Sequence, residues 1–201
     1  MNELFARKKL AEVCRLLYER NLTVSAGGNM SLRINENEFI ITPSGRNKGL
    51  LGPEDMVLMN LKGKVLSDGK PSMEKGFHIA IFKANPETAS VIHCHPLHCT
   101  VLAVKGEKIK SRLTPEGVLL LGDVPMIGYF TPGSKKLVDA VAEQASCKAM
   151  LMERHGAITQ GRTLEEAFNR MEELEFQARL QIMAGDADEL PASEVKKLMK
   201  M

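Results

Sequence analysis

Compact β-branched runs and helix-periodic stretches alternate along this 201-residue chain, which restricts it to a sheet layered with helices. Residues 89–94, Ala-Ser-Val-Ile-His-Cys, have the length and branching of one buried strand. Pro96 suits the first turn of a helix over residues 97–104. Thr163-Leu164-Glu165-Glu166 is a capping box, in which Thr163 and Glu166 satisfy each other's backbone donors. Leu164, Ala167, Phe168, Met171, Leu174, Ala178 and Ile182 then keep a helical period, and Gly185 is the stop. Further helices are expected over residues 2–20 and 73–84, and from a Ser134 cap through residue 145. Residues 30–34 and 39–42 make a hairpin around Asn35-Glu36-Asn37, and residues 57–61 with 65–66 a shorter one. Residues 150–152 and 157–159 flank a tight corner at His155-Gly156. A charged loop, then the apolar segments 118–121 and 124–127, lie between residues 104 and 134, and the tail beyond Gly185 reads as a frayed helix. No repeat, linker or low-complexity tract interrupts the pattern. The expectation is α/β or α+β, with one central sheet in one domain over residues 1–201.

Charge narrows the partners. Lysine and arginine number 27 against 25 acidic residues, a formal net charge of +2, so neither nucleic acid nor an anionic membrane is favoured. Tryptophan is absent and aromatics are few, which removes the stacking platforms of single-strand binders. No run approaches the roughly 18–20 apolar residues of a membrane span. The first 20 residues are charged throughout and carry no apolar core of a secretory signal. Cys14, Cys94, Cys99 and Cys147 form no Cys-x-x-Cys pair and are expected as free thiols in a reducing cytosol, which makes the chain cytoplasmic.

Four groups of residues can carry chemistry. His93 and His95 lie two apart on an extended run, so both project to the same face, while Cys94 points the other way into the core. With a third ligand from elsewhere, such as His155, this pair can hold zinc with one coordination position open, as catalytic zinc requires. The same triplet also occurs as a surface pair or a satisfied core pair. Gly27-Gly28-Asn29-Met30-Ser31 lets backbone approach a ligand closely and offers an amide to a phosphate oxygen; it is equally a tight turn before a strand. Thr42-Pro43-Ser44-Gly45-Arg46 combines a hydroxyl, a glycine N–H and a guanidinium into an anion nest. In Pro71-Ser72-Met73-Glu74-Lys75, Ser72 can cap a helix or bind phosphate at its N-terminus. Glu74 either complements that helix's dipole or, if brought to the histidines, becomes a proton-transfer carboxylate beside a metal. His78, four residues on, shares its face and can orient it or simply pack.

The order Gly-Gly-Asn-Met-Ser, Thr-Pro-Ser-Gly, Pro-Ser-x-Glu, His-x-His-x-x-His-Cys-Thr, Arg-His-Gly resembles the class II aldolase/adducin family, from about Leu10 to about Met183. The resemblance implies a three-layer α/β/α fold around a mainly antiparallel sheet, in a homotetramer with sites between neighbouring subunits. It implies zinc, or another divalent metal such as Mn2+, on His93, His95 and His155, with Glu74 as catalytic carboxylate. Asn29, Ser44, Gly45 and Ser72 match the groups that bind a substrate phosphate, and His98 is read as structural. The implied reaction is cleavage of a ketose 1-phosphate, similar to fuculose 1-phosphate, into dihydroxyacetone phosphate and an aldehyde through a metal-stabilised enediolate. Sugar-phosphate epimerases, dehydratases and decarboxylases share that metal site, and adducin's head domain shares the fold as an assembly module. Two departures bear on substrate: Met73 replaces a serine common in the aldolases, and the aldolases' proton-donating tyrosine has no clear counterpart. Glu116 and Tyr129 are the candidates for that second acid or base.

Overall fold

The computed structural model describes residues 1–200. Seven strands form one sheet: β1 (Asn29–Arg33), β2 (Glu38–Ile41), β3 (Val57–Asn60), β4 (Ser90–Cys94), β5 (Met126–Ile127), β6 (Ala149–Met152) and β7 (Gly156–Gly161). Their spatial order is β3-β2-β1-β4-β7-β6-β5. Every pairing is antiparallel except β5 with β6. Seven α-helices cover it: α1 (Glu3–Glu19), α2 (Lys75–Ala84), α3 (Leu97–Lys105), α4 (Pro115–Leu120), α5 (Lys135–Glu143), α6 (Leu164–Ala184) and α7 (Ala192–Leu198).

Period-2 alternation along the strands divides the core into two layers. Met30, Leu32, Ile40, Ile92, Cys94 and Leu151 pack against α1, α3 and α6. Phe39, Ile41, Val57, Val91, Met150 and Ile158 face the other way, onto Phe77 and Ile81 of α2 and Leu137 and Val141 of α5. The fold is therefore an α/β/α sandwich with a mostly antiparallel sheet. No helix among the described residues is long and apolar enough to cross a membrane. All four cysteines are free.

Several local expectations shift. Glu166 does not complete a capping box: Thr163 accepts from the Glu166 N–H at 3.0 Å, but the Glu166 carboxylate takes the N–H of Arg162 instead, at 2.6 Å. Pro96 is the N-cap of α3 rather than its first turn. Helix α2 begins two residues later than the periodicity suggests, with Glu74 itself at the N-cap. The segment 65–66 adds a single bridge from Val65 to Met59, not a second strand. Helix α4 lies where a charged loop and an apolar run were expected. Its start is a Thr114 cap that accepts from Gly117 N–H at 3.3 Å, followed by Pro115. Six residues are too few to show a helical period, so tertiary packing against α6 and α7 decides that segment.

Candidate active site

Register places the two ends of the site side by side. Asn29 of β1 lies opposite His93 of β4, and His93 lies opposite Ile158 of β7. Directly opposed residues share a face, so Asn29 and His93 both point toward α2. His95 follows the end of β4, and His155 occupies the corner from β6 into β7, where Arg154 takes φ 54°. An Arg154 N–H bond of 3.0 Å to the carbonyl of Ala103 on α3 pins that corner.

The three imidazoles converge. Their potential ligand atoms all lie within 4.8 Å of one another, with His95 Nε2 3.1 Å from His93 Nε2. His93 Nδ1–H donates to the Ala157 carbonyl at 2.9 Å, which leaves the Nε2 lone pair facing the site. Glu74 closes the remaining side: Oε2 is 3.4 Å from His93 Nε2, and Oε1 is 3.5 Å from His155 Nε2. Glu74 Oε1 is buried with no hydrogen-bond partner, and a cation between it and the imidazoles would satisfy it. Three imidazole nitrogens beside a carboxylate are a donor set suited to a divalent metal.

Glycines make room for these rings. A Cβ on Gly27 would stand 2.8 Å from His95 Nδ1, and one on Gly156 2.6 Å from His95 Cδ2, so His95 is clasped between two bare backbones. Gly28 has φ +69°, and a Cβ there would lie 2.4 Å from the His93 carbonyl. Only glycine meets both conditions at residue 28.

The turns at residues 42–46 and 71–75 meet each other, and the second carries Glu74 to the imidazoles. Pro43 and Pro71 bridge, Ser72 N–H bonds the Thr42 carbonyl at 3.2 Å, and Ser44 N–H bonds the Lys70 carbonyl at 2.9 Å. Thr42 in turn bonds β1 through Met30, its N–H donating at 3.0 Å and its hydroxyl accepting at 3.2 Å. Gly45 has φ +71° in an exposed turn, with Ser44 half-buried and Ser72 buried beside it. Ser72 Oγ accepts the Glu74 N–H at 3.2 Å, so it braces the residue before the helix rather than capping the helix. Two of the basic residues near these turns are already engaged: Arg46 pairs with Asp55 at 3.1 Å, and buried Lys48 donates to the carbonyls of Ala26 and Arg46. Met73 is 66 % exposed between buried Ser72 and Glu74.

A buried chain of polar groups backs Glu74. Asn29 Nδ2 lies 2.9 Å from Glu74 Oε2, His78 Nε2 lies 2.6 Å from Asn29 Oδ1, and Ser31 Oγ lies 2.7 Å from His78 Nδ1. Sequence reasoning paired Glu74 with His78 but missed that Asn29 stands between them, and missed Ser31 altogether. The available signal was the alternation of Asn29 and Ser31 on one strand face. His98 is not part of the imidazole cluster: Glu175 contacts its Nδ1 at 2.7 Å and accepts the N–H groups of His98 and Cys99 at the start of α3. Glu116 belongs to α4, while Tyr129 is 55 % exposed and donates its N–H to Glu153.

Residues 8–182 match the family model described as Class II Aldolase and Adducin N-terminal domain. The chain belongs to this family. The 3-oxo-tetronate 4-phosphate decarboxylase of Haemophilus influenzae is 33 % identical over 185 residues, covering 90 % of this chain and 88 % of that one. The L-fuculose phosphate aldolase of Methanococcus vannielii is 34 % identical over 175 residues, covering 86 % and 93 %. Among solved structures, YgbL of Klebsiella pneumoniae superposes with TM-score 0.93 at 33 % identity, covering 98 % of this chain and 99 % of that one. An L-fuculose 1-phosphate aldolase superposes with TM-score 0.91 at 28 % identity, covering 98 % and 95 %.

Burial prepares this class II aldolase-family site for a metal. It pushes His93 and His95 down to about 3, with the neighbouring imidazoles adding to the shift, and holds His78 well below its usual value. Neutral imidazoles are the ligand form, so no proton need leave them when a metal enters near neutral pH. Burial raises Cys94, which keeps the thiol behind the site protonated. The depressed histidines also set an acid limit on stability. Below about 6.5 the unfolded chain takes up protons that the folded one refuses, so stability is full above that pH and falls as pH drops toward 3. Each such proton costs up to about 1.4 kcal/mol per pH unit. Urea titrations of metal-free protein should show the midpoint falling steadily from pH 7 to pH 5. A flat midpoint across that range would mean that these histidines are not held neutral.

Proposed function

We propose that this chain is a divalent-metal-dependent lyase that breaks a carbon–carbon bond in a phosphorylated ketose, with zinc on His93, His95 and His155. The reaction is aldol cleavage of a ketose 1-phosphate, similar to fuculose 1-phosphate, into dihydroxyacetone phosphate and an aldehyde. The observation that carries this reading is the convergence of three imidazoles with Glu74, whose Oε1 lacks a partner 3.5 Å from His155. When bound, the metal would supply Lewis-acid polarisation of the substrate carbonyl and neutralise the negative charge that cleavage leaves there.

The chain's own residues do the rest. Ser44, Gly45 and Ser72, tied together by the Pro43–Pro71 bridge, offer hydroxyls and a positive-φ backbone to the phosphate, and Asn29 is the fourth group to bind it. Glu74 moves the proton at the carbon that becomes the enediolate, because it is the carboxylate held against the imidazoles. The single domain assembles as a homotetramer with sites between subunits, a state that sedimentation measures directly.

A second reading, decarboxylation, is favoured by the Haemophilus influenzae relative. Its chemistry converges with the first. In a 3-oxo-tetronate 4-phosphate, the ketone, the adjacent hydroxyl carbon and the phosphate match the dihydroxyacetone phosphate half of a ketose 1-phosphate. Losing carbon dioxide or losing an aldehyde leaves the same enediolate. Carbon dioxide departs without a proton transfer, whereas the aldehyde forms only as a hydroxyl proton leaves. Decarboxylation therefore asks for one fewer acid–base group.

A panel of ketose 1-phosphates and 3-oxo-acid phosphates, incubated with zinc-loaded protein, decides between them. Dihydroxyacetone phosphate is scored by coupled reduction, and the co-product is identified separately. Triose phosphate with an aldehyde is the expected result, and triose phosphate with carbon dioxide would move the activity to decarboxylase. No triose phosphate from any substrate would overturn both.

A further inference from the structure

We infer that Lys48 is the buried counter-charge for the substrate's phosphate, acting through space on the dianion rather than by contact, and so favours a doubly charged group over a singly charged or neutral one. The inference rests on the phosphate role proposed above for Ser44, Gly45 and Ser72, and adds a residue to it.

The charge of Lys48 has nothing to cancel it. The residue is 1 % exposed, in a short turn over residues 48–50. Its ammonium donates to the Ala26 carbonyl at 2.8 Å and to the Arg46 carbonyl at 2.9 Å. Both partners are dipoles rather than charges, and no carboxylate pairs with Lys48 among the described residues. The two thiols that its field reaches, Cys14 and Cys94, supply no negative charge either. Burial keeps both protonated, with Cys14 pushed up to about 12. Burial also pulls the ammonium below its ordinary pKa. A lone buried cation is costly, and the cost is met where the missing anion arrives with a ligand.

The bonds of Lys48 set this charge between the two halves of the site. Arg46 follows Gly45 directly, so the ammonium on its carbonyl lies within about two residues of chain, roughly 7 Å, of the Ser44–Gly45 turn. Ala26 adjoins Gly27, whose bare backbone meets His95, and the Lys48 N–H bonds the Ser25 carbonyl at 3.0 Å. The field of Lys48 reaches His93 and His95, adding to the burial and imidazole repulsion that keep them neutral. The other cations near the turns are screened. Arg46 is paired with Asp55, Lys70 is exposed and Lys75 is half-buried, so a carboxylate or water weakens the field of each. Charge balance asks for one more cation: a phosphate dianion and Glu74 bring three negative charges against the two positive charges of a divalent metal. Lys48 supplies the third. Met73 stands where the aldolases commonly carry a serine, so this chain has one hydroxyl fewer in that turn, and a buried charge offsets its loss.

Methyl phosphate and methyl sulfate share a shape, but at pH 8 the first is a dianion and the second a monoanion. Titration calorimetry of metal-free protein with each reads the charge of the turns without turnover and without a metal to bind the ligand. The unaltered protein should bind methyl phosphate at least about tenfold more tightly than methyl sulfate. Lys48→Gln should weaken methyl phosphate about 10–100-fold and methyl sulfate only about 3–10-fold, because the dianion feels the lost charge twice. Lys48→Arg, which keeps the charge, should hold the ratio of the two affinities within about threefold of the unaltered protein's. Zinc retained by the loaded variants should not change. Equal weakening of both ligands in Lys48→Gln, or loss of zinc, would make Lys48 a strut for the 25–28 loop and overturn the inference; so would methyl phosphate binding left intact. Lys48→Met is the second variant if glutamine is not tolerated. If neither folds, the unaltered protein still decides, since equal binding of the two ligands would sink the idea. Binding of neither ligand would remove the phosphate role of the turns and this inference with it. If the ligands behave as expected but no sugar phosphate is turned over, the proposed reaction fails and the counter-charge stands.

Discussion

Glu74→Gln is expected to keep the fold and the bound metal and to lose turnover by about 10²–10⁴-fold, the usual worth of a positioned acid–base group. Glutamine is nearly the same shape as glutamate, and the environment accepts it. Its amide oxygen can take the Asn29 Nδ2 donor that Glu74 Oε2 takes now, at 2.9 Å. Its NH2 would then replace Oε1, which has no hydrogen-bond partner, so no buried hydrogen bond is lost, and metal retention rests on the three imidazoles alone. The three imidazoles remain, and His93 keeps its orienting bond to the Ala157 carbonyl. What disappears is a basic oxygen that can take a proton from carbon and return it. Metal analysis, thermal unfolding and steady-state kinetics on one preparation test this together. Full turnover in the glutamine variant would remove Glu74 from the mechanism.

His155→Ala is expected to have the second largest effect, by a different route. The His155 Nδ1 is buried and has no hydrogen-bond partner, so alanine removes a ligand without orphaning a buried group. The corner is held by other contacts, the Arg154 N–H to Ala103 and the His155 N–H to Met152, and both are backbone bonds that survive. Fold stability should therefore change little. Metal retained after dialysis against a weak chelator should fall from about one equivalent per chain toward none, because a two-histidine pincer lacks the third ligand of a catalytic zinc site. Turnover should fall with the metal and return partly at high zinc concentration. Full activity in metal-free protein would refute the metal role of all three histidines.

Much of this site was legible in the sequence because it is written in short spacings. Two histidines two apart on a strand must share a face, and they do. The Gly27-Gly28 pair was read as room for backbone to approach a ligand, and in the structure the His95 ring and the His93 carbonyl occupy that room. The errors have a common origin. Ser72 and Glu74 both suit a helix start, and local propensity cannot choose which residue stands at the N-cap. The choice falls to Glu74, whose carboxylate is tied to Asn29 on a strand far away in sequence. Glu166 likewise reaches Arg162 rather than Thr163, since two partners one residue apart differ by geometry and not by pattern.

Sequence alone determined the layered class, the same-face projection of His93 and His95, and the burial of Cys94 behind them. Each follows from a backbone period that neighbouring residues impose on one another. Only the tertiary structure decided that His155 completes the triad, that the 42–46 and 71–75 turns meet, and that Asn29 faces Glu74 with His78 and Ser31 behind it. Those facts depend on strand order and register, Asn29 opposite His93 and His93 opposite Ile158. Register is set by burying one face of every strand at once. That is a condition on the whole sheet, and no local stretch of the chain carries it.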